Sequence, residues 1–158
     1  MFAHLEKRKK FVLVAVVVKE KMINLLKRPV ELRNGYQDKK RRAAIRAMPC
    51  IACEIRRVEQ QSKTEFHHFI GMGNGLKASD LLSIPLCNLC HTGSYTKRVM
   101  GITIHYGLHE FAKRHGTQGD LLRIIDGRLG VEYSQEVRES LDELLEMLDA
   151  KEMLEKLS

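Results

Sequence analysis

The chain has no tryptophan and only four tyrosines and five phenylalanines among its 158 residues. Proteins that grip single strands without sequence preference stack bases on rows of aromatic rings. So few rings argue against a dedicated platform of that kind. Long hydrophobic runs are missing too. The longest, Phe11 to Val18, is eight residues, whereas a membrane-spanning helix needs about twenty. That run follows the basic cluster Lys7–Lys10 in the manner of a secretory leader. No small-residue cleavage site comes after it, only Lys19, Glu20 and Lys21. The valine-rich run reads better as a strand. The expectation is a cytoplasmic protein with no membrane span. Cysteines number only four, and nothing in the pattern supports secretion, which disfavours disulfides. Nucleotide fingerprints are absent as well. Gly71-Met-Gly-Asn-Gly75 forms a loop without the spacing of a dinucleotide or phosphate-binding motif.

What is present is positive charge, unevenly placed. The chain carries 27 Lys and Arg against 20 Asp and Glu, a net +7. Residues 1–57 hold 16 basic and 5 acidic side chains, and residues 58–158 hold 11 and 15. A basic front half joined to a mildly acidic rear points to a polyanionic partner, nucleic acid or an acidic membrane face. Lys39 to Arg46 concentrates the charge in a short helix. It reads equally as a solvated face or as a phosphate-contacting arm.

Periodicity outlines the rest. Residues 11–18 read as a strand and 19–28 as a weak helix ended by Pro29. Asn34-Gly35 signals a turn, and Ser83 to Leu86 a short strand. Residues 106–115 and 118–126 read as helices, with Gly116 as a stop and Gly127 and Gly130 marking a turn. Residues 134–157 form the clearest helix, capped by Ser134, with Val137, Leu141, Leu144, Leu145, Leu148 and Leu154 as its apolar stripe. That stripe suits packing on a core better than a dimer seam.

The chemistry concentrates between residues 48 and 92, which hold every cysteine and three of the seven histidines. Cys50-x-x-Cys53 and Cys87-x-x-Cys90 are two knuckles. A two-residue gap lets both thiolates turn to one point, and two knuckles supply the four soft ligands of a closed tetrahedral Zn²⁺ site. A thioredoxin-like redox pair would need one such motif in a βαβ setting, which is absent. The 33 residues between the pairs leave room for a functional loop. Inside that loop stand His67 and His68, flanked by Phe66 and Phe69, and His91 directly follows Cys90. The knuckles bring these histidine groups together. On a strand, His67 and His68 would point to opposite faces.

In this order (CxxC, His-His, a loop, then Ile84-Pro-Leu-Cys-Asn-Leu-Cys-His91) the chain resembles the HNH endonucleases. Gly101-Ile-Thr-Ile-His105-Tyr-Gly-Leu-His-Glu-Phe111, His115-Gly116 and Leu121-Leu122 extend the likeness to phage recombination-enhancement nucleases that act with RecA. The resemblance covers roughly residues 48–123. It implies an α+β fold: a small ββα-metal, treble-clef-like core over residues 48–126, clamped by a four-cysteine zinc site. Residues 1–47 would be a basic N-terminal extension and residues 127–158 a C-terminal acidic amphipathic helix. It implies a metal-dependent endonuclease acting on DNA, with a RecA filament as a further partner. By position, His68 would be the general base, and His67, His91 and His105 would bind a catalytic divalent metal, Mg²⁺, Mn²⁺ or Zn²⁺. Many family members carry Asp where His67 stands, and an imidazole-rich site favours Zn²⁺, Ni²⁺ or Mn²⁺. The segment before Leu86 offers Asp80 rather than the family's middle Asn. Asp80 or a backbone carbonyl would then orient the base. His109 and His115 read as surface residues. Lys39, Lys40, Arg41, Arg42, Arg46, Lys77, Lys97 and Arg98 are the candidate phosphate contacts. A non-catalytic zinc-dependent DNA-binding module and a protein adaptor using the acidic helix are the competing readings; His68 separates them from a nuclease.

Overall fold

The computed structural model describes residues 29–33, 35–69, 78–93 and 102–154, with side chains to residue 150. The expected strand at 11–18, the helix at 19–28, the glycine loop at 71–75 and Lys77, Lys97 and Arg98 lie outside the described residues. The described chain is a small mixed α/β assembly. A single 3-10 turn, Val30–Leu32, precedes helix α1 (Lys39–Ala47) and the short helix α2 (Ile51–Ile55). A hairpin of β1 (Thr64–His68) and β2 (Ser83–Cys87) follows, then one turn of helix, α3 (Asn88–His91). Helices α4 (Leu108–His115), α5 (Gln118–Leu129) and α6 (Gln135–Leu154) complete it. No helix among the described residues is long and apolar enough to cross a membrane.

The strands pair antiparallel, with His67 opposite Ile84 and Thr64 opposite Cys87. Strand β2 is buried along its whole length, whereas β1 is half-buried except at His67. That difference fixes the hairpin's depth: Ile84 and Leu86 sit in the core and β1 lies toward the outside. One continuous apolar cluster runs from Leu32 through Ile45, Ile51, Leu82, Ile84, Phe111, Leu121 and Ile125 to Leu144 and Leu148. The described parts of the N-terminal and C-terminal regions therefore share their core with the cysteine-bearing middle. The apolar stripe of α6 is used for this packing: Val137, Leu141, Leu144, Leu145 and Leu148 are buried.

Helix ends follow local chemistry. Asp38 caps α1 by accepting from the Arg41 amide at 2.9 Å. Thr117 and Asp120 form a reciprocal capping box on α5. Helix α5 runs through Gly127 to Leu129, three residues beyond the end expected from sequence. A Gly inside a helix costs about 1 kcal/mol relative to Ala, and α5 tolerates it. The true stop is Gly130, whose φ of 61° is the left-handed conformation that ends helices.

Two expectations fail for a common reason. Arg41 is buried, not a surface phosphate contact: its guanidinium lies 2.7 Å from Asp126 and bonds the Ser83 carbonyl at 3.3 Å. Burial pushes the Asp126 carboxyl upward, and Arg41 offsets this only in part. The arginine thus ties α1 to β2 and α5. His115 is buried as well, not a surface residue; it stacks on Phe111 with ring centroids 4.4 Å apart. Both side chains sit one helical turn from a buried apolar residue, Ile45 and Phe111, and so face inward.

Candidate metal centres

The two knuckles converge. Helix α2 begins just after Cys50 and carries Cys53, while Cys87 ends β2 and Cys90 lies on α3. Their four sulfurs lie within 4.8 Å of one another. Cys53 Sγ is 3.7 Å from both Cys87 Sγ and Cys90 Sγ. Four sulfurs about 2.3 Å from a tetrahedral zinc stand about 3.8 Å apart, so the spacing fits, and no cysteine is in a disulfide. Burial and the neighbouring thiols push Cys53 up to about 12, and hydrogen bonding to Cys50 and Cys87 pushes Cys90 upward as well. Cys87, which accepts hydrogen bonds from the others, moves the opposite way. Four thiolates this close would repel one another, and a cation at their centre would offset that repulsion. The set suits a structural metal such as zinc.

The second cluster is made of imidazoles. His67, His91 and His105 also place their ring nitrogens within 4.8 Å of one another. His67 points inward from β1 and is 1% exposed. Its ring meets those of His91 and His105 edge-on, at centroid distances of 4.8 and 5.3 Å. Neither of its nitrogens has a well-formed hydrogen bond, although the buried Gln118 side chain lies near enough to favour its proton somewhat. Burial, then the neighbouring His91 and His105, hold His67 down at about 3. A neutral imidazole with free ring nitrogens could offer one of them to a metal ion.

His91 is oriented for the same task. Its Nδ1 lies 2.6 Å from Glu65 Oε2. Burial raises the Glu65 carboxyl, but bonds from Asn88 and His91 outweigh it and hold the group below its usual range. A carboxylate only accepts, so His91 Nδ1 donates and the lone pair of the neutral ring sits on Nε2. That Nε2 stands 2.9 Å from His105 Nε2. Nitrogens about 2.1 Å from one ion are about 3 Å apart at neighbouring octahedral positions and about 3.4 Å apart at tetrahedral ones. The donor set therefore fits a late first-row metal or zinc, and the exposed side of His105 leaves an opening to solvent.

His68, the last residue of β1, faces away from this cluster. Its Nε2 lies 2.9 Å from Asp80 Oδ1. Asp80 is nearly inaccessible and also receives Arg42 Nε at 2.8 Å, Arg42 Nη2 at 3.0 Å and the Asp38 amide at 2.7 Å. Burial raises Asp80, but these donors, Arg42 foremost, hold it below the ordinary carboxylate range. An ionised Asp80 only accepts, so His68 donates through Nε2; a ring in that tautomer has its lone pair on Nδ1. Phe66 packs edge-on against His68 at 4.8 Å and lies under the Arg42 guanidinium at 5.6 Å. Arg42 is thereby committed to the Asp80 pair rather than free for a phosphate. Lys39, Lys40 and Arg46 of the same helix remain exposed.

The sequence reading missed Glu65. The signal was available, since residues two apart on a strand share a face, which puts Glu65 beside His67. Gln118 was missed because nothing local distinguishes it from any helix-start residue. His109 is half-buried, 3.9 Å from Glu110, and takes no part in either cluster.

Residues 1–131 match the family described as "Protein of unknown function (DUF968)". No curated protein and no solved structure matches the chain.

Proposed function

The chain belongs to the DUF968 family, and we propose that it is a metal-dependent endonuclease hydrolysing phosphodiester bonds in DNA. The observation that carries this reading is a pair of adjacent histidines with divided tasks. His67 turns into a three-imidazole cluster while His68 is held by a buried carboxylate. A structural zinc module needs only the four cysteines, so the second arrangement is what favours a catalytic reading. The order β1, β2, α3, with ligands on the first strand and the helix, supports an HNH-like core.

In this mechanism His67, His91 and His105 would hold a divalent ion, which would supply charge stabilisation to the phosphate and the leaving oxygen. His68 Nδ1 takes the proton from the attacking water, and Asp80 stabilises the imidazolium that forms. Glu65 keeps His91 in the tautomer that presents Nε2. Lys39, Lys40 and Arg46 on the exposed side of α1 provide sequence-independent phosphate contacts. Action in phage recombination, directed by RecA, is the narrower part of the proposal and rests on the likeness of residues 101–123 alone.

The test is conversion of supercoiled plasmid to nicked and linear forms with Mg²⁺, Mn²⁺, Ni²⁺ or Zn²⁺. His68→Ala is expected to abolish it while zinc content and DNA affinity persist. Cleavage at the wild-type rate by His68→Ala would refute the mechanism. DNA binding with no cleavage by the wild-type protein under any metal would favour the non-catalytic zinc module. Cleavage of a RecA-bound D-loop compared with naked duplex tests the narrower part.

A further inference from the structure

Helix α3 holds residues of both clusters, and they are consecutive: Cys90 belongs to the sulfur set and His91 to the imidazole set. A helix of four residues has no stability of its own. It is positioned by the knuckle at its start and by a few specific bonds. The Asn88 amide donates to Ser62 Oγ at 3.0 Å. The Asn88 side chain, between the two knuckle cysteines, donates through Nδ2 to Glu65 Oε1 at 3.0 Å. The other oxygen of Glu65 holds His91. The segment bearing His105 is pinned to the same turn, because the Ile104 amide donates to the Cys90 carbonyl at 3.0 Å and the His105 amide to the His91 carbonyl at 3.3 Å. Two of the three imidazoles thus take their positions from the turn that carries Cys90.

From this geometry we infer that the two centres are thermodynamically coupled: filling the four-cysteine site pre-organises the three-histidine site through α3 and the chain Asn88–Glu65–His91. Glu65 and Asn88 are positioning residues in this scheme, since neither offers an atom to the ion. The inference rests on the reading that both clusters hold metal, but not on DNA cleavage. Coupling between binding sites is reciprocal, so each metal must tighten the other by the same factor. Its size follows from two known ranges. Loss of an outer-shell partner weakens metal binding about 10–100-fold, and couplings between sites run to about 5–150-fold.

The experiment uses the full chain loaded with one zinc and titrated with Ni²⁺ by calorimetry, without DNA. Absence of thiolate-to-nickel charge-transfer absorption confirms that nickel stays off the cysteines. Glu65→Gln is expected to weaken nickel binding about 10–100-fold, and Asn88→Ala by a smaller factor, both with zinc retained. The double variant is expected to match Glu65→Gln alone, because the asparagine acts through the glutamate. Undiminished nickel affinity in a zinc-loaded Asn88→Ala, or simple additivity of the two changes, overturns the inference while leaving the metal sites standing. Failure of wild-type protein to bind nickel or any other divalent ion at the histidines overturns the metal reading itself. A second measurement needs no variant. Zinc is partitioned at equilibrium against a coloured chelator with and without bound nickel. Tighter retention in the nickel-loaded wild type supports the coupling, and equal partition overturns it. His68→Ala is expected to lose cleavage yet keep the full coupling, which separates the two proposals.

Discussion

Replacing Asp80 by Asn tests whether one buried carboxylate holds both the fold and the proposed base. The side chain is 1% exposed and accepts from His68, from Arg42 twice, and from the Asp38 amide. An amide of the same shape has a single acceptor oxygen. Whichever way it turns, its NH₂ faces a pair of donors that had shared the lost oxygen. Hydrogen bonds to charged groups contribute about 1.5–3 kcal/mol each, so two losses bound the cost at about 3–6 kcal/mol. The Arg42 side chain is 31% exposed and regains water, which brings the expectation to about 2–4 kcal/mol. For a chain of this size that is a fall of about 5–15 °C in melting temperature. The effect on cleavage is separate. Without a carboxylate, His68 no longer has a fixed tautomer, and turnover is expected to fall about 10²–10⁴-fold. Arg42→Gln is the control: it breaks the bidentate pair and costs stability, but leaves the His68–Asp80 bond, so cleavage by the folded fraction changes less than about tenfold. Thermal melts paired with plasmid nicking at a temperature where all variants are folded provide the measurement. An Asp80→Asn protein that melts early yet cleaves at the wild-type rate would show Asp80 to be structural only, and the orienting role would be withdrawn.

Cys87→Ser is expected to lose bound zinc and its cooperative melting transition, because metal binding at such sites is folding free energy; a zinc-free variant with a sharp melt would contradict the structural role. Arg41→Ala leaves the Asp126 carboxylate buried without its 2.7 Å partner and is expected to cost about 3–5 kcal/mol by chemical denaturation. Lys39→Ala and Lys40→Ala are expected to leave stability within about 0.5 kcal/mol and to lower the salt dependence of DNA affinity by about one ion each; the reverse pattern would reassign helix α1. Burial holds His115 down at about 4, below its ordinary 6.5. The folded state therefore binds fewer protons than the unfolded one, and the contribution is complete above about pH 6.5 and lost as pH falls toward 4. At about 1.4 kcal/mol per pH unit this reaches up to about 3 kcal/mol. His115→Phe is expected to flatten that part of the stability–pH curve, and an unchanged curve would place the acid sensitivity elsewhere.

The cysteine cluster was legible because its information is local. Two residues between thiols define a knuckle whatever surrounds it, and the four sulfurs meet as the spacing requires. The apolar stripe of α6 was legible for the same reason, since a long helix declares its face by period. Arg41 shows where such reading stops. The run Lys39 to Arg46 was weighed as a quantity of charge, although helical spacing puts Arg41 on the face of Ile45. Its partner Asp126 lies 85 positions away in the sequence, and no local pattern pairs them. His115 and Gln118 are similar cases: each is a single polar residue turned inward from α4 or α5, where tertiary packing, not local propensity, decides burial.

Strand β1 sets the adjacent histidines on two different faces, as the alternation read from the sequence expects. Alternation on a strand sends neighbours to opposite faces. His67 and Glu65 share the face turned to α3 and the His105 segment, and His68 takes the other, toward Asp80. Either histidine alone admits a bland account, a buried ring or a surface ion pair. Each instead meets a complementary group brought from a distant element: two imidazoles for the orphaned His67, a desolvated carboxylate for His68. Those partners arrive because Cys87 and Cys90 bracket the junction of β2 and α3, which fixes the register of the hairpin and the first turn of the helix together. A shift of one residue in that register would exchange the faces and place His68 among the imidazoles and His67 against Asp80. The cysteine knuckle and the opposite facings of the two histidines are therefore one structural decision, and a change in the length of either Cys-x-x-Cys gap is expected to destroy both.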